Sequence, residues 1–558
     1  MIATVMLVSI AVLAVGYFVY GRFIAKLFDL DDSRITPACE INDGVDYVPA
    51  SASMLLGQHF SAIAAAGPIV GPILAGLWFG WVPALLWIVL GTIFIGGVHD
   101  FGSLIASVRH RATSVGEIIR QNMSPTSQKL FLVLAWFALV YVVIAFTDIT
   151  AQTFRAVSQE EALGPGVAAS SILYLLLGVV MGLVMRRFTM PLWLVTLIFV
   201  PAVLSVVWVG TALPGTWVDA MMGVSVKGWE VILIGYCFIA SLVPMWLLLQ
   251  PRGYLGGWFL YITIAVGLVG ALFGGYAIEY PAFNLEGMKS LANGRAVFPI
   301  LFITVACGAC SGFHGMVSGG TTSKQIARES DTRPVGYGAM VLEAVVAVIA
   351  LATVMMLAKG DALLSSDPNY IYAHGLATYM GKVGINFQIA LAFALLAFST
   401  FVYDTLDVTT RLARYILQEF FGWKSLAGSI LATALTLSLP LVVLLAASEK
   451  AYLVAWPIFG STNQLLASLT LLAVSMWCVR TGRKAVYTLV PMVFMLAVSV
   501  WALVLQVKPM YTGLLGGGGG ISSDVWIAGI CGTVLLVLTA WLVGEAAAIF
   551  ARPKQTGR

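Results

Sequence analysis

Two segments of the sequence combine histidine, hydroxyl side chains and closely spaced glycines inside otherwise apolar stretches. The first is GQHFSAIAAAGPIVGPILAG, residues 57–76, and the second is CGACSGFHGMVSGGTTSK, residues 307–324. Glycine and proline are poor helix formers, whereas imidazole can bind polar solutes and exchange protons near neutral pH. The pattern therefore predicts two stretches of open backbone that bind a ligand.

In the first segment, the helix-breaking residues are placed so that a second half-helix begins near Gly67. Proline is tolerated in a first helical turn, and the free N–H groups and positive dipole end of such a half-helix attract anions. His59 either contacts the ligand or caps loose backbone carbonyls as a packing residue. The candidate binding residues here are Gln58, His59, Ser61, Gly67 and Gly71.

The second segment is equally rich in small residues, around Ser318 to Thr322. Thr321 or Thr322 is suited to cap another half-helix, because a threonine hydroxyl accepts a hydrogen bond from free N–H groups at a helix N-terminus. Glycine tolerates the open backbone that an unwound stretch requires. The candidate binding residues here are Ser311, His314, Ser318, Gly319, Gly320, Thr321 and Thr322.

A third polar stretch, WPIFGSTNQ, occupies residues 456–464 of an apolar segment. Asn463 and Gln464 need hydrogen-bond partners or water when they are buried. We predict that this stretch interrupts its span beside the same cavity, with Ser461 and Asn463 as further binding residues.

Carboxylates inside apolar segments are candidates for ion coupling, because a charge within the bilayer is expensive and marks a functional site by default. A structural ion pair is the alternative for Asp100, with Arg109 or Arg111, and for Asp407, with Arg411 at i, i+4. Snorkelling or pairing is the alternative for the carboxylates near span ends. The candidates are Asp100, Asp148, Glu343, Asp404 and Asp407.

Six cysteines are scattered through the chain, and only Cys307 and Cys310 have CxxC spacing. A single such pair in an apolar span rich in small residues favours close helix packing over a metal or redox site. His59, His99 and His314 would bind a metal ion only if their spans converge. We therefore expect no metal site and no cofactor.

The elements that must position these residues are transmembrane helices. The chain has 558 residues, of which 60% are hydrophobic and only 10% charged, and its apolar stretches of about 20 residues lack the alternation of barrel strands. This predicts an all-α, polytopic membrane helix bundle in which polar stretches such as 359–384 are loops. About fifteen spans are expected, at 2–21, 52–78, 81–108, 129–154, 168–186, 190–211, 230–250, 254–277, 298–320, 336–358, 386–408, 427–447, 452–477, 485–506 and 525–549.

The basic residues predict the orientation, because cytoplasmic loops carry an excess of Lys and Arg. When the spans are threaded in order, most of the basic loops fall on one side, which places the N-terminus outside and the C-terminus inside. The first span is followed by basic residues and is expected to be a retained anchor. The net charge of +4 follows from this bias and gives no reason to expect nucleic acid. The main basic groups are Arg109–Arg111, Arg186–Arg187, Lys324–Arg333, Arg411–Arg414, Arg480–Lys484 and Arg552–Lys554.

The two glycine-rich segments belong to spans that cross the membrane in opposite directions. Two interrupted spans of opposite direction are typical of inverted-repeat transporters, which bind solutes near the bilayer midplane. We predict an anchor helix and cytoplasmic loop at 1–51, a first repeat with additional spans at 52–297, a second inverted repeat at 298–480, and C-terminal spans at 481–558.

Six motifs are distributed along nearly the whole chain: TPACEINDGVDYVP (36–49), the first glycine-rich segment, VHDF (98–101), GFHGMVSGGTTSK (312–324), TLDVTTRLAR (405–414) and WPIFGSTNQLLA (456–467). Through these motifs the sequence resembles the carbon starvation protein A (CstA) family. Family members usually carry a histidine where this chain has Gln58. The chain is also shorter than the long enteric members, so we expect it to lack their last C-terminal spans.

The resemblance implies a five-plus-five inverted repeat like that of amino acid, polyamine and organocation transporters, and proton-coupled uptake of pyruvate or uptake of short peptides. We therefore expect a secondary active transporter of the bacterial cytoplasmic membrane, with a small carboxylate-bearing solute and a proton as its ligands. The alternatives are an intramembrane metal-dependent hydrolase, for which no HExxH motif is present, and a nutrient-sensing membrane protein. The sequence does not predict an oligomeric state.

Overall fold

The computed structural model describes residues 1–44, 47–158, 161–188, 190–288, 296–447, 451–516 and 522–551. Arg552 and Lys554, used above for orientation, lie outside these residues. The helices in chain order are α1 Ile2–Val15, α2 Gly21–Phe28, α3 Pro37–Ile41, α4 Ala52–Ile63, α5 Gly67–Phe79, α6 Trp81–Gly91, α7 Gly97–Arg109, α8 Val115–Asn122, α9 Pro125–Thr153, α10 Leu163–Arg187, α11 Leu192–Thr211, α12 Gly215–Gly223, α13 Val226–Leu242, α14 Leu249–Phe273, α15 Leu285–Met288, α16 Val297–Thr304, α17 Gly312–Val317, α18 Ala339–Met355, α19 Pro368–Gly381, α20 Phe387–Phe421, α21 Leu426–Ala446, α22 Ala451–Arg480, α23 Val486–Leu515 and α24 Ser523–Ala551.

Short π-helical turns join α1 to α2 and α6 to α7, so each of these pairs forms one continuous span. A two-residue antiparallel pair, β1 (Val157–Ser158) with β2 (Glu161–Ala162), links α9 to α10. The all-helical bundle expected from composition is confirmed.

Within the described residues, twelve helices are long and apolar enough to cross a membrane, and two bent helix pairs raise the number to fourteen. The prediction of about fifteen spans is therefore one to three too high. The difference arises because the predicted span at 298–320 is divided into short helices, while α4 with α5 and α12 with α13 are bent by 47° and 90°. The predicted orientation, domain division and inverted repeat stay predictions.

The centre of the bundle is formed by α9, α18, α20 and α22, whose most apolar stretches are buried over 83–94% of their residues. In the first span, Ile2–Phe28, and the last, Val525–Ile549, only 28% of the residues in the most apolar stretch are buried. Their apolar side chains therefore face outward, as expected of helices in contact with lipid. The predicted loop at 359–384 is wrong in part, because α19 lies within it and packs against α5, α14 and α20.

The first broken span consists of α4 and α5, which are separated by residues 64–66 and meet at 47°. The second half-helix begins at Gly67 with Pro68 in its first turn, as predicted. The carbonyl oxygen of Ala62, at the end of α4, accepts a hydrogen bond from the hydroxyl of Thr405 on α20 at 3.1 Å. A continuous neighbouring helix thus satisfies part of the interrupted backbone.

The second broken span consists of α16, an interruption at residues 305–311, and α17. Helical turns continue from α17 through the π-helical turn Ser318–Thr322 to Gln325. The prediction that Thr321 or Thr322 caps a new half-helix is therefore wrong: the half-helix begins at Gly312, and the break lies before the glycine pair instead of at it.

The two broken spans touch each other through their interruptions. A Cβ atom added to Gly67 would overlap the side chain of Cys307, and one added to Gly71 would lie 2.5 Å from the carbonyl oxygen of Thr304. Only glycine allows such close approach, because any side chain would occupy the space that the neighbouring span fills. Gly67 and Gly71 therefore set the packing of one broken span on the other.

The third polar stretch does not interrupt its span, contrary to the prediction, because α22 runs continuously past Pro457. Asn463 accepts from the backbone N–H of Phe313 at 2.9 Å and donates to Ser311 at 3.0 Å. Gln464 donates to carbonyl oxygens of Phe302, Ala306 and Cys310 at 3.1 to 3.3 Å. These amides supply hydrogen bonds that the interrupted backbone of the second broken span lacks.

Candidate functional site

A narrow cavity lies where the two broken spans meet α14 and α20. The space between its atoms is about 310 Å³ including open solvent, and in this conformation it has room for about one water molecule. Its wall includes predicted residues from both glycine-rich segments and one of the predicted coupling carboxylates. The lining residues are Gln58, His59, Ala62, Leu249, Gly253, Val317, Thr321, Thr322, Asp404 and Val408.

The polar wall of this cavity holds side-chain atoms that are available to a ligand. The Nδ1 atom of His59 lies 2.8 Å from the hydroxyl of Thr322, which joins the two broken spans directly. Within the described part of the chain, Nε2 of His59 and Oε1 of Gln58 are buried without hydrogen-bond partners. Buried polar atoms are normally satisfied, so these two indicate a place for a polar solute or water.

Behind one wall of the cavity lies a buried group that we call the arginine cluster: Arg252, Asp404, Asp407, Tyr236 and Ser61. The guanidinium of Arg252 on α14 is 0% exposed and lies 2.5 Å from Oδ1 of Asp404 and 2.5 Å from Oδ2 of Asp407, both on α20. One cation thus faces two carboxylates, and the three charges sum to −1 when all are ionised.

Neutral donors complete the arginine cluster. The hydroxyl of Tyr236 on α13 donates to Oδ2 of Asp407 at 2.8 Å, and the hydroxyl of Ser61 on α4 donates to Asp404. Arg252 also donates to the carbonyl oxygen of Tyr403 at 3.1 Å. Ser61 links the first broken span to this charged group, so a change in the charge of Asp404 acts directly on that span.

The alternative partner for Asp407, Arg411 at i, i+4, is not used. The guanidinium of Arg411 donates to the carbonyl oxygens of Ala240 and Val243 instead, at 2.8 and 2.6 Å. Sequence reasoning missed Arg252, because the predicted spans end at 250 and restart at 254 and so place it in a connection. The signal was an isolated arginine within a long apolar stretch.

A second buried group, which we call the histidine cluster, consists of His99, Asp100, His314 and Glu343. Asp100 lies on α7. Its Oδ1 atom is 2.7 Å from Nδ1 of His99, and its Oδ2 atom is 2.7 Å from Nδ1 of His314. On its other edge, His314 presents Nε2 to Oε2 of Glu343 on α18 at 3.2 Å. All four side chains are fully buried.

The surface ion pair considered for Asp100 is not formed. Arg109 pairs with Glu329 at 2.9 Å, and Arg111 lies 3.6 Å from Glu40. Asp100 therefore lies within the protein as the centre of the histidine cluster, and the structure brings it together with His314 and Glu343 from three separate elements.

One cysteine of the CxxC pair approaches the histidine cluster. Sγ of Cys307, Nε2 of His314 and a carboxylate oxygen of Glu343 all lie within 4.8 Å of one another. Cys310 is not part of this group. The three histidines considered as metal ligands do not form such a group together in the described residues; only His314 belongs to one.

The remaining predicted residues lie apart from the cavity wall. Asp148 on α9 lies beside Glu230 on α13 and accepts from Gln152 at 3.2 Å. Ser461 is hydrogen-bonded to Gln506 on α23. Ser318 is buried, Gly319 packs near residues 113–115, and Gly320 packs against Leu412.

A larger opening lies on the far side of the residues that begin α14. It contains about 670 Å³ of unfilled space, including open solvent, and its wall includes Met54, Arg186, Trp246 and Gln250. The side-chain amide of Gln250 lies 3.4 Å from that of Gln325. Because Leu249 and Gly253 line the central cavity, the first turn of α14 separates the two spaces.

The family model described as Carbon starvation protein CstA matches residues 1–368 and 361–502. The chain belongs to the CstA family. The peptide transporter CstA of Helicobacter pylori is 31% identical in an alignment that covers 90% of this chain and 81% of that protein. The pyruvate/proton symporter BtsT of Escherichia coli is 30% identical over the same shares of the two chains.

The fold of this CstA-family chain is also found in a solved structure. A histidine-to-alanine mutant of a manganese transporter from Eremococcus coleocola matches with a TM-score of 0.54, over 91% of this chain and 99% of that chain, at 12% identity. At this identity the match shows a shared fold and nothing about the solute. Because these CstA-family relatives are named as transporters, the hydrolase and sensor alternatives are not favoured.

Proposed function

We propose that this protein imports a small solute with a carboxylate group, pyruvate or a short peptide, across the bacterial cytoplasmic membrane together with protons. The observation that carries the proposal is the central cavity, whose wall contains His59 and Thr322 from the two broken spans and Asp404 from the arginine cluster. The named peptide transporter and pyruvate/proton symporter among the relatives support this class of solute and the proton.

The charge of the arginine cluster favours joint binding of a proton and an anion. With both carboxylates ionised the cluster has a charge of −1, so a solute carboxylate entering alone would be repelled by Asp404. If one proton binds with one carboxylate solute, the total charge is unchanged and the guanidinium of Arg252 gains a replacement partner. We propose Asp404 and Asp407 as the proton-binding groups and Arg252 as the group that attracts the anion.

Transport requires that the cavity open to each side in turn. We propose that the two broken spans belong to the two halves of an inverted repeat, and that rocking of one part of the bundle against the other gives this alternation. The opening beside Gln250 supports a route to the cytoplasmic side, since the predicted orientation places the start of α4 there. The N-terminus would then be outside. Asp100, Glu343 and Asp148 stay predictions as coupling groups.

The test is uptake of labelled pyruvate and of a labelled dipeptide into proteoliposomes that contain the purified protein. Inward proton and sodium gradients are imposed separately, and protein-free liposomes serve as the control. We expect accumulation of at least one solute that requires the proton gradient and is abolished by a protonophore. Accumulation driven only by sodium would contradict the coupling, and absence of uptake and counterflow for both solutes would contradict the solute class.

A further inference from the structure

Cys307, His314 and Glu343 place three different metal-binding atoms in one small volume inside the bundle. The thiol sulfur, the imidazole Nε2 and a carboxylate oxygen all lie within 4.8 Å of one another, and each side chain is almost completely buried. Cys307 lies in the interruption of the second broken span, His314 follows in α17, and Glu343 belongs to α18. The cluster therefore joins the unwound backbone to a central helix of the bundle.

The hydrogen bond at the other edge of the His314 ring determines what Nε2 can do. Nδ1 of His314 lies 2.7 Å from the carboxylate of Asp100, and the same carboxylate lies 2.7 Å from Nδ1 of His99. A carboxylate accepts hydrogen bonds, so Nδ1 carries the proton and Nε2 of the neutral ring has a free lone pair. That lone pair faces the Glu343 carboxylate at 3.2 Å.

Two acceptor atoms that face each other need either a proton or a metal ion between them. Within the described residues, both carboxylate oxygens of Glu343 and Nε2 of His314 are buried without a hydrogen-bond partner. A buried ionised carboxylate is strongly unfavourable unless it is paired or coordinates a metal. The unpartnered carboxylate is thus aimed at the same space as the thiol and the imidazole.

We propose that Cys307, His314 and Glu343 bind a divalent transition metal ion of the zinc type. Thiolate, imidazole and carboxylate are ligands that Zn²⁺ takes, in tetrahedral geometry, and three protein ligands leave a fourth position for water or another small ligand. One thiolate and one carboxylate neutralise the double charge of the ion. The carboxylate of Asp100 behind His314 forms the carboxylate–histidine–metal arrangement that orients a metal-binding imidazole.

The distance between His314 and Glu343 fits this geometry. Two ligands at about 2.0–2.1 Å from a tetrahedral ion lie about 3.3 Å apart, and the observed separation of Nε2 and Oε2 is 3.2 Å. Sγ of Cys307 accepts a contact from the side-chain amide of Asn463 at 3.5 Å and lies 3.5 Å from the hydroxyl of Ser311, to which the thiol can donate while no metal is bound. A proton shared between His314 and Glu343 would involve neither the thiol of Cys307 nor its contact with Asn463, whereas a metal ion would bind the thiol.

Metal binding to the purified full-length protein in detergent tests the proposal directly. The protein is treated with a chelator, desalted, incubated with Zn²⁺ and desalted again before the metal content is measured by mass spectrometry. We expect close to one zinc ion per chain, and thermal stabilisation by the metal. With Co²⁺ as the probe, we expect the ultraviolet thiolate-to-cobalt charge-transfer absorption that a cysteine ligand produces.

The matched pair of variants is Cys307→Ser and Cys310→Ser, since both cysteines are buried in the same interrupted segment. We expect Cys307→Ser to abolish the charge-transfer absorption and to retain less zinc, and Cys310→Ser to behave like the unchanged protein. Asp100→Asn should weaken zinc binding about 10–100-fold while the absorption remains at saturating Co²⁺. Should Cys307→Ser fail to fold, Glu343→Gln gives the same comparison of zinc retention.

Failure of zinc to remain bound to the unchanged protein would overturn the proposal, as would equal absorption from Cys307→Ser and the unchanged protein. Uptake of pyruvate and dipeptide is measured on the same preparations. Uptake without metal binding removes this inference and leaves the proposed function intact. Metal binding without uptake of either solute contradicts the proposed function and leaves the metal site intact, because the metal site is argued from the cluster alone.

Discussion

The arginine cluster and the histidine cluster are both buried groups of charged side chains beside the broken spans, but they differ in how their negative charge is compensated. In the first, a permanent cation, Arg252, lies 2.5 Å from each of two carboxylates. In the second, Asp100 has two histidine partners, while Glu343 lies beside Nε2 of His314 and the thiol of Cys307 and has no permanent cation beside it among the described residues.

The presence or absence of a permanent cation determines which ligands each cluster is suited to bind. A cluster with a fixed cation and one excess carboxylate suits the proposed joint binding of an anion and a proton, and it lies against the cavity through Asp404. A cluster of acceptor atoms without a fixed cation is completed by a small positive ion. The presence of both in one bundle allows their roles to be separated by substitutions that change one and leave the other intact.

The largest expected effect is that of Arg252→Gln, which leaves Asp404 and Asp407 without their cation. Breaking a buried ion pair by removing one partner costs about 3–5 kcal/mol, so we expect a clearly lower unfolding temperature in detergent and loss of uptake in proteoliposomes. The double variant Arg252→Gln/Asp407→Asn should recover part of the stability, since Asp404 still lacks its cation, without recovering uptake. Normal uptake by Arg252→Gln would show that the arginine cluster does not attract the solute.

The next effect is that of Asp407→Asn, which removes a carboxylate proposed to bind the coupling proton. We expect uptake rates with and without an inward proton gradient to become equal, while exchange of solute across the membrane continues. Glu329→Gln is the control, because Glu329 is a buried carboxylate that pairs with Arg109 at 2.9 Å, outside the arginine cluster and outside the predicted coupling groups. If the response of Asp407→Asn to the gradient is unchanged, the proton is carried elsewhere, and the histidine cluster becomes the candidate.

A smaller effect is expected for Asn463→Ala, which removes hydrogen bonds to Ser311 and to the backbone of Phe313 near the histidine cluster. Leaving these buried groups without partners costs about 1–3 kcal/mol, measured as a lower free energy of unfolding. Ser461→Ala, on the same helix, loses hydrogen bonds with Pro457 and Gln506 among the described residues and should change stability less. Equal losses would mean that Asn463 does not hold the interruption in place.

The smallest effect on stability is expected for Glu343→Gln in metal-depleted protein. The carboxylate accepts no hydrogen bond from the described residues, so its neutral replacement loses no donor and removes a buried charge. Asp407→Asn, which loses charge-assisted bonds worth about 1.5–3 kcal/mol, is the matched comparison in thermal unfolding. A loss for Glu343→Gln as large as that for Asp407→Asn would contradict the distinction between the clusters.

Local sequence signals predicted much of the framework of the site. Glycine and proline near Gly67 indicated a broken span and its new half-helix. The candidate carboxylates included Asp404 and Asp407, which lie together in the arginine cluster. The same signals misplaced the second break, because small residues at 318–320 also suit close packing within a continuous helix. The CstA resemblance is confirmed by the family match.

The pairing of these groups depends on contacts between distant parts of the chain. Arg252 and Asp404 are 152 residues apart, and no local pattern indicates that they meet. Asn463 was expected at the ligand because its need for partners was recognised, but those partners proved to be the interrupted backbone of another span. Helix α19 was missed because its polar flanks and short length resemble a loop.

The close contact of Gly71 with the carbonyl oxygen of Thr304 means that neither broken span has clearance to slide past the other. Gln464 adds three amide contacts that fasten α22 to the same backbone. We therefore expect these elements to move together when the bundle changes shape, with the boundary of the movement along α14 and α20. There, Ser61 of the first broken span donates to Asp404 on α20, and Thr405 on α20 donates to the carbonyl oxygen of Ala62.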